Sequence, residues 1–103
     1  MNANRPKNEM EFYCSEFSVN DLVNNYKFNE LMEYYMYGLH TIKAIQEVID
    51  NNEYYLVDKT YEEVKNDKMY FVLKCTIIKN AIKKLNLCDV ITSNDNVFVI
   101  HSN

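Results

Sequence analysis

Between Lys68 and Cys88 the chain carries five lysines and no acid, in a protein whose formal net charge is −4. Ammonium groups meet phosphates, and an asparagine among them can hydrogen-bond an adenine edge, so the chemistry such a cluster offers is that of polyanion contact. Within it, Phe71, Cys75, Ile78, Ile82 and Leu85 are spaced four, three, four and three, a stripe that only a helix lines up. The spacing predicts a helix over 70–86 with Thr76, Lys79, Asn80 and Lys83 on the side away from the core. Leu73 and Ile77 also point partly away from it, and no arginine occurs in the segment. Three readings of this face stand. It contacts nucleic acid, it meets another partner, or it is the solvated back of a core helix whose Lys83 and Lys84 suit the negative end of the helix dipole.

Other reactive residues form no constellation. Cys14, Cys75 and Cys88 are an odd number without a Cys-x-x-Cys pair, and His40 and His101 add no zinc-ligand spacing, so they read as small buried thiols in a reducing compartment, without a metal. A single glycine leaves no phosphate-cradling loop or dinucleotide fingerprint, so no cofactor is expected. Ser15, Ser18, Ser93 and Ser102 stand in no nucleophile motif, and Glu62-Glu63 reads as helix capping. The expectation is a protein that is not an enzyme.

At 103 residues, 48% hydrophobic and 25% charged, the composition is that of one globular domain with its own core. The charge-free run from Tyr34 to Ile42 is too short to cross a bilayer and no basic-then-apolar leader opens the chain, so a soluble, cytoplasmic protein without a membrane contact is expected. Residues 1–50 hold four bases and eight acids, whereas 51–103 hold seven of each, which puts all the excess acid in the first half. The many Lys, Asn, Ile and Tyr have A/T-rich codons, a bias that would suit a virus- or mobile-element-encoded protein.

The elements that must position these residues follow from capping and period. Residues 1–9, with the single proline Pro6, read as a flexible tail ahead of one domain over 10–103. Ser18 with Asp21 opens a short helix to about Tyr26. Phe28, Leu31, Met32, Tyr35, Leu39, Ile42, Ile45 and Ile49 give a long helix, in which Gly38 costs about 1 kcal/mol and marks a kink or a break near Thr41. Tyr54-Tyr55-Leu56-Val57 reads as a short strand, and Thr60 with Glu63 caps a short helix to Asn66. Asn66-Asp67-Lys68 then reads as a break before the helix over 70–86. Val90-Ile91-Thr92 and Val97-Phe98-Val99-Ile100 flank the turn-type cluster Ser93 to Asn96 as a hairpin.

This order of elements over residues 28–101 resembles the winged helix-turn-helix domain, without a diagnostic motif and without glycine in either turn. The resemblance implies an α+β, mainly α fold: a three-helix core with a C-terminal β-hairpin as the wing. It further implies a small, dimeric DNA-binding transcription regulator, with Lys79, Asn80 and Lys83 in the groove beside Thr76, and Lys74, Lys84, Asn94 and Asn96 near phosphates.

"EYYMYGLH", residues 33–40, puts aromatic and Met side chains nearly all round one helix. Either they form a homodimer or partner surface, or Phe12, Tyr13 and Phe17 fold back over them. The rival function is therefore an acidic adaptor or inhibitor that offers Glu30, Glu33, Tyr34, Tyr37 and Glu47 to a basic protein partner.

Overall fold

The computed structural model describes residues 5–93, with side-chain surroundings as far as Asn86. The elements are α1 (Glu9–Cys14), α2 (Val19–Asn25), α3 (Phe28–Asn51), a 3₁₀ turn (Tyr54–Leu56) and α4 (Tyr61–Ser93). Asn8 caps α1 by accepting from the Glu11 amide, and Ser18 and Asp21 exchange hydrogen bonds in a complete capping box at the start of α2. Asn52, left-handed at φ 54°, closes α3 and directs the chain into the 3₁₀ turn. Thr60 and Glu63 make the reciprocal bonds, at 2.9 and 3.2 Å, that start α4.

α3 and α4 are antiparallel. Lys68 donates to Gln46 near one end of the pair, and Cys75 lies against Gly38 further along. α1 and α2 cover one face of that pair: Tyr13 reaches α3 and α4 together, and Lys84 of α4 donates to Asn20 at 3.1 Å. The core contains Phe12, Tyr13, Leu22, Leu31, Phe71, Cys75, Ile78 and Ala81, with Val64 also buried. Cα extents of 53 × 34 × 16 Å describe a slab whose thickness is that of two helix layers.

Several expectations are corrected. The α+β fold with a C-terminal hairpin is not what the structure has: the described residues contain no strand and are mainly helical. Tyr54–Leu56, in the segment expected as a strand, is a 3₁₀ turn: among the described residues there is no strand to pair with, and the Tyr54 carbonyl instead accepts from the Val57 and Lys59 amides. The break at Asn66-Asp67-Lys68 does not exist. Each polar residue there costs only a few tenths of a kcal/mol in a helix, whereas Val64 and Phe71 on either side are buried, Asp67 pairs with Lys59, and Lys68 bonds to α3. The wing is not seen either. Val90 to Ser93 belong to α4, and Asn94, Asn96 and Val97 to Ile100 lie outside the described residues. Nor does Gly38 break α3, which is continuous, and Thr41 is no second start but bonds back to the Tyr37 carbonyl at 2.9 Å. Finally, Glu9 is not part of a loose tail; it begins α1, which supplies Phe12 and Tyr13 to the core, while Cys14 at its end is exposed and not buried as expected, because it lies on the outer side of the helix.

Candidate functional site

The basic set of α4 divides in two. Lys74 donates to the Ser15 carbonyl and stands over the rings of Phe17 and Tyr70, at 4.3 and 5.3 Å from their centroids. Burial lowers its pKa, partly opposed by the nearby charges of Glu16 and Cys14. Lys84 is tied to Asn20. Both therefore clamp α4 to the covering layer. Thr76, Lys79, Asn80 and Lys83 are exposed on the other side of the helix, and the Thr76 hydroxyl is used on the Val72 carbonyl at 2.9 Å.

The acidic and tyrosine set on α3 also divides. Glu30 accepts from Arg5 at 2.6 Å and from the Lys27 amide at 2.8 Å. Tyr34 stacks on Phe12 with ring centroids 3.8 Å apart, and Tyr37 packs beside Tyr13 at 5.8 Å. The N-terminal aromatics thus fold back over these tyrosines, and burial raises the pKa of Tyr34 and of Tyr26 next to it. Glu33 and Glu47 alone of the five are fully exposed, and fourteen residues of helix put them about 20 Å apart.

A different surface emerges where α1, α3, residues 57–59 after the 3₁₀ turn and α4 meet. One shallow cavity of about 330 Å³ is walled by Tyr37, His40, Thr41, Ala44, Ile45 and Val48 of α3, with Val57 opposite. A second, of about 490 Å³, lies between Met10, Tyr13 and Cys14 of α1, Thr41 and Ile45 of α3, and Lys59, Asp67, Tyr70 and Phe71. Thr41 and Ile45 belong to both, so the two form one groove. Because the Thr41 hydroxyl is turned onto its own helix, what it offers the groove is apolar. Lys59 and Asp67 neutralise each other at the rim. Tyr55, Leu56 and Val57 on the adjoining turn are 76%, 63% and 43% exposed.

The expectations from sequence missed this groove because its walls come from four separate segments. The signal that could have found it was the run Tyr55-Leu56-Val57 once its reading as a strand is dropped. A cleft of about 330 Å³ between the N-terminal segment and α2 is less suited to a ligand: Arg5, its cationic wall, is already engaged by Glu30, the Asn25 carbonyl and the face of Tyr26. Among the described residues no three His, Cys, Asp or Glu side chains converge as metal ligands, and no helix is long and apolar enough to cross a membrane. In comparisons with known proteins, the chain matches no family model, and no curated protein or solved structure shows significant similarity to it.

Proposed function

We propose that this chain is a non-catalytic cytoplasmic binding module that holds an apolar segment of another protein in the groove between α1, α3, α4 and residues 57–59. The observation that carries the reading is that Val57, which lines the groove, is the last of three consecutive exposed side chains, Tyr55, Leu56 and Val57. Contiguous apolar surface of this kind on a small protein marks a contact site. A small ligand needs a cleft that encloses most of its surface, whereas this groove is open along its length and suits a helix or an extended peptide. The neutral rim leaves selection of the partner to shape and apolar complementarity.

The rival reading is DNA contact through Lys79, Asn80 and Lys83. With Lys74 and Lys84 engaged in the fold, two lysines are left to neutralise phosphate, and a log–log salt slope of about −0.9 per phosphate makes such binding weak at physiological salt.

The test uses a photo-crosslinking residue at Leu56 and, as a control, at Lys43 on another flank of α3. Cells are lysed with nuclease at moderate salt, and any crosslinked protein is purified and titrated calorimetrically. The expected result is one partner captured from position 56 and not from 43, with affinity lost in Val57→Asp and Ala44→Glu. A partner whose affinity ignores both substitutions, or tight binding of duplex DNA that Lys79→Glu with Lys83→Glu abolishes, would overturn the proposal.

A further inference from the structure

α4 has two stripes. The buried one runs through Val64, Phe71, Cys75 and Ile78. On the opposite side, Met69, Leu73 and Thr76 continue at four- and three-residue steps to Glu62 and Asn66 in one direction and to Asn80 and Lys83 in the other. Every member of this second stripe is exposed. The pattern is that of a helix–helix seam, three heptads long, left without a partner among the described residues. Its centre is apolar, with Met69 57% and Leu73 60% exposed and Val72 alongside at 38%.

Charge along the helix is segregated. Residues 61–67 carry Glu62, Glu63 and Asp67 against one lysine, whereas residues 68–86 carry five lysines and no acid. A seam with an acidic start, an apolar middle and a basic end is complementary to itself in one orientation only. Parallel pairing would set lysine on lysine; antiparallel pairing sets each basic end on an acidic one.

We propose that the occupant of this face is a second copy of the chain, docked through α4 about a twofold axis, with Met69 of each copy against Leu73 of the other. In that register Thr76 faces Asn66, Asn80 faces Glu62 and Lys79 lies level with Glu63, while Lys83 comes level with Lys59, whose charge Asp67 offsets, within one turn of Glu62. None of the residues of this seam lines the groove of the proposed function. Asn66 and Asn80, polar residues within the seam, favour this register over slipped ones. The interface differs from the tyrosine-rich segment of α3, whose rings are taken up by α1.

Analytical ultracentrifugation over a micromolar to submillimolar range, with circular dichroism as the folding control, is the test. The wild-type chain is expected to associate to twice its mass. Leu73→Asp, at an exposed position, is expected to sediment as a monomer with unchanged helicity. Lys79→Glu with Lys83→Glu should weaken association about tenfold, and adding Glu62→Lys in the same chain should restore it. A chain that stays monomeric throughout, a Leu73→Asp variant that still dimerises, or a triple variant no stronger than the double would each overturn the proposal. So would a monomer that binds duplex DNA through Lys79 and Lys83.

Discussion

Tyr13 occupies the space that any other residue at position 38 would need for its Cβ: the ring carbon bearing the Tyr13 hydroxyl stands 2.8 Å from where a Cβ on Gly38 would be, and the hydroxyl oxygen is closer still. Cys75 presses on the same point from α4. The hydroxyl donates to the Tyr34 carbonyl at 2.6 Å and lies 3.6 Å from the Cys75 sulfur, so three helices meet where one lacks a side chain. On helix propensity alone Gly38→Ala would stabilise by about 1 kcal/mol. The expected result is the reverse, a loss of about 1–3 kcal/mol from overpacking. Combining it with Tyr13→Phe and Cys75→Ala should return part of the loss, as read by urea denaturation.

Alkaline pH should unfold the protein through the same residue. Burial raises the pKa of Tyr13, reinforced by the hydrogen bond and charge interaction with Cys75, and burial raises that of Cys75 as well. The unfolded chain releases these protons near the ordinary values of 10.0 and 9.0, and the folded chain retains them to higher pH. Their contribution is therefore complete below pH 9 and falls as pH rises, by at most about 1.4 kcal/mol per pH unit for each group. Lys74, with its pKa lowered, works weakly in the opposite sense. Stability of Tyr13→Phe followed by circular dichroism should decline less steeply above pH 10 than that of the wild type; parallel curves would contradict this account.

Phe12 has the largest set of aromatic neighbours in the fold. It stacks on Tyr34 at 3.8 Å and on Phe17 at 4.8 Å, and meets Tyr13 and Tyr26 edge-on. Phe12→Ala should cost about 3–5 kcal/mol, a large part of the 5–15 kcal/mol typical of a domain. Denaturant titration gives the value, and amide exchange should show α1 detached first.

Lysines of α4 that look alike in sequence should differ in stability. Lys74→Met removes a hydrogen bond to the Ser15 carbonyl and the charge over two rings, with an expected loss of about 1–2 kcal/mol. Lys79→Met, at an exposed position, should stay within about 0.5 kcal/mol when measured below the concentration of self-association. Equal effects would remove the clamp assigned to Lys74.

What the sequence disclosed was local. Ser18 and Thr60 signal their caps because the bonding partner lies three residues on, and the period through Leu31, Ile42 and Ile45 names the buried side of α3 without reference to any other element. The continuity of α4 was hidden because its decisive contacts are distant: Lys68 is held by Gln46 and Asp67 by Lys59, while Asn66 and Asp67 taken alone read as a turn. The role of Gly38 was hidden for the same reason, since the groups that fill its space come from α1 and α4. The basic face could be drawn on a helical wheel, but which lysines were free could not, because α1 and α2 decide that.

Tyr13 and Cys75 are 62 residues apart in the chain. On a ribosome adding about 5–20 residues each second, α1 is complete for at least several seconds before the α4 surface that receives it has been made. For that interval Phe12 and Tyr13 have no finished core to enter, although α3 can already supply Tyr34 as a stacking partner for Phe12. Closure of this core thus awaits α4, and of its helices α1 is the one that spends longest exposed to chaperones and proteases.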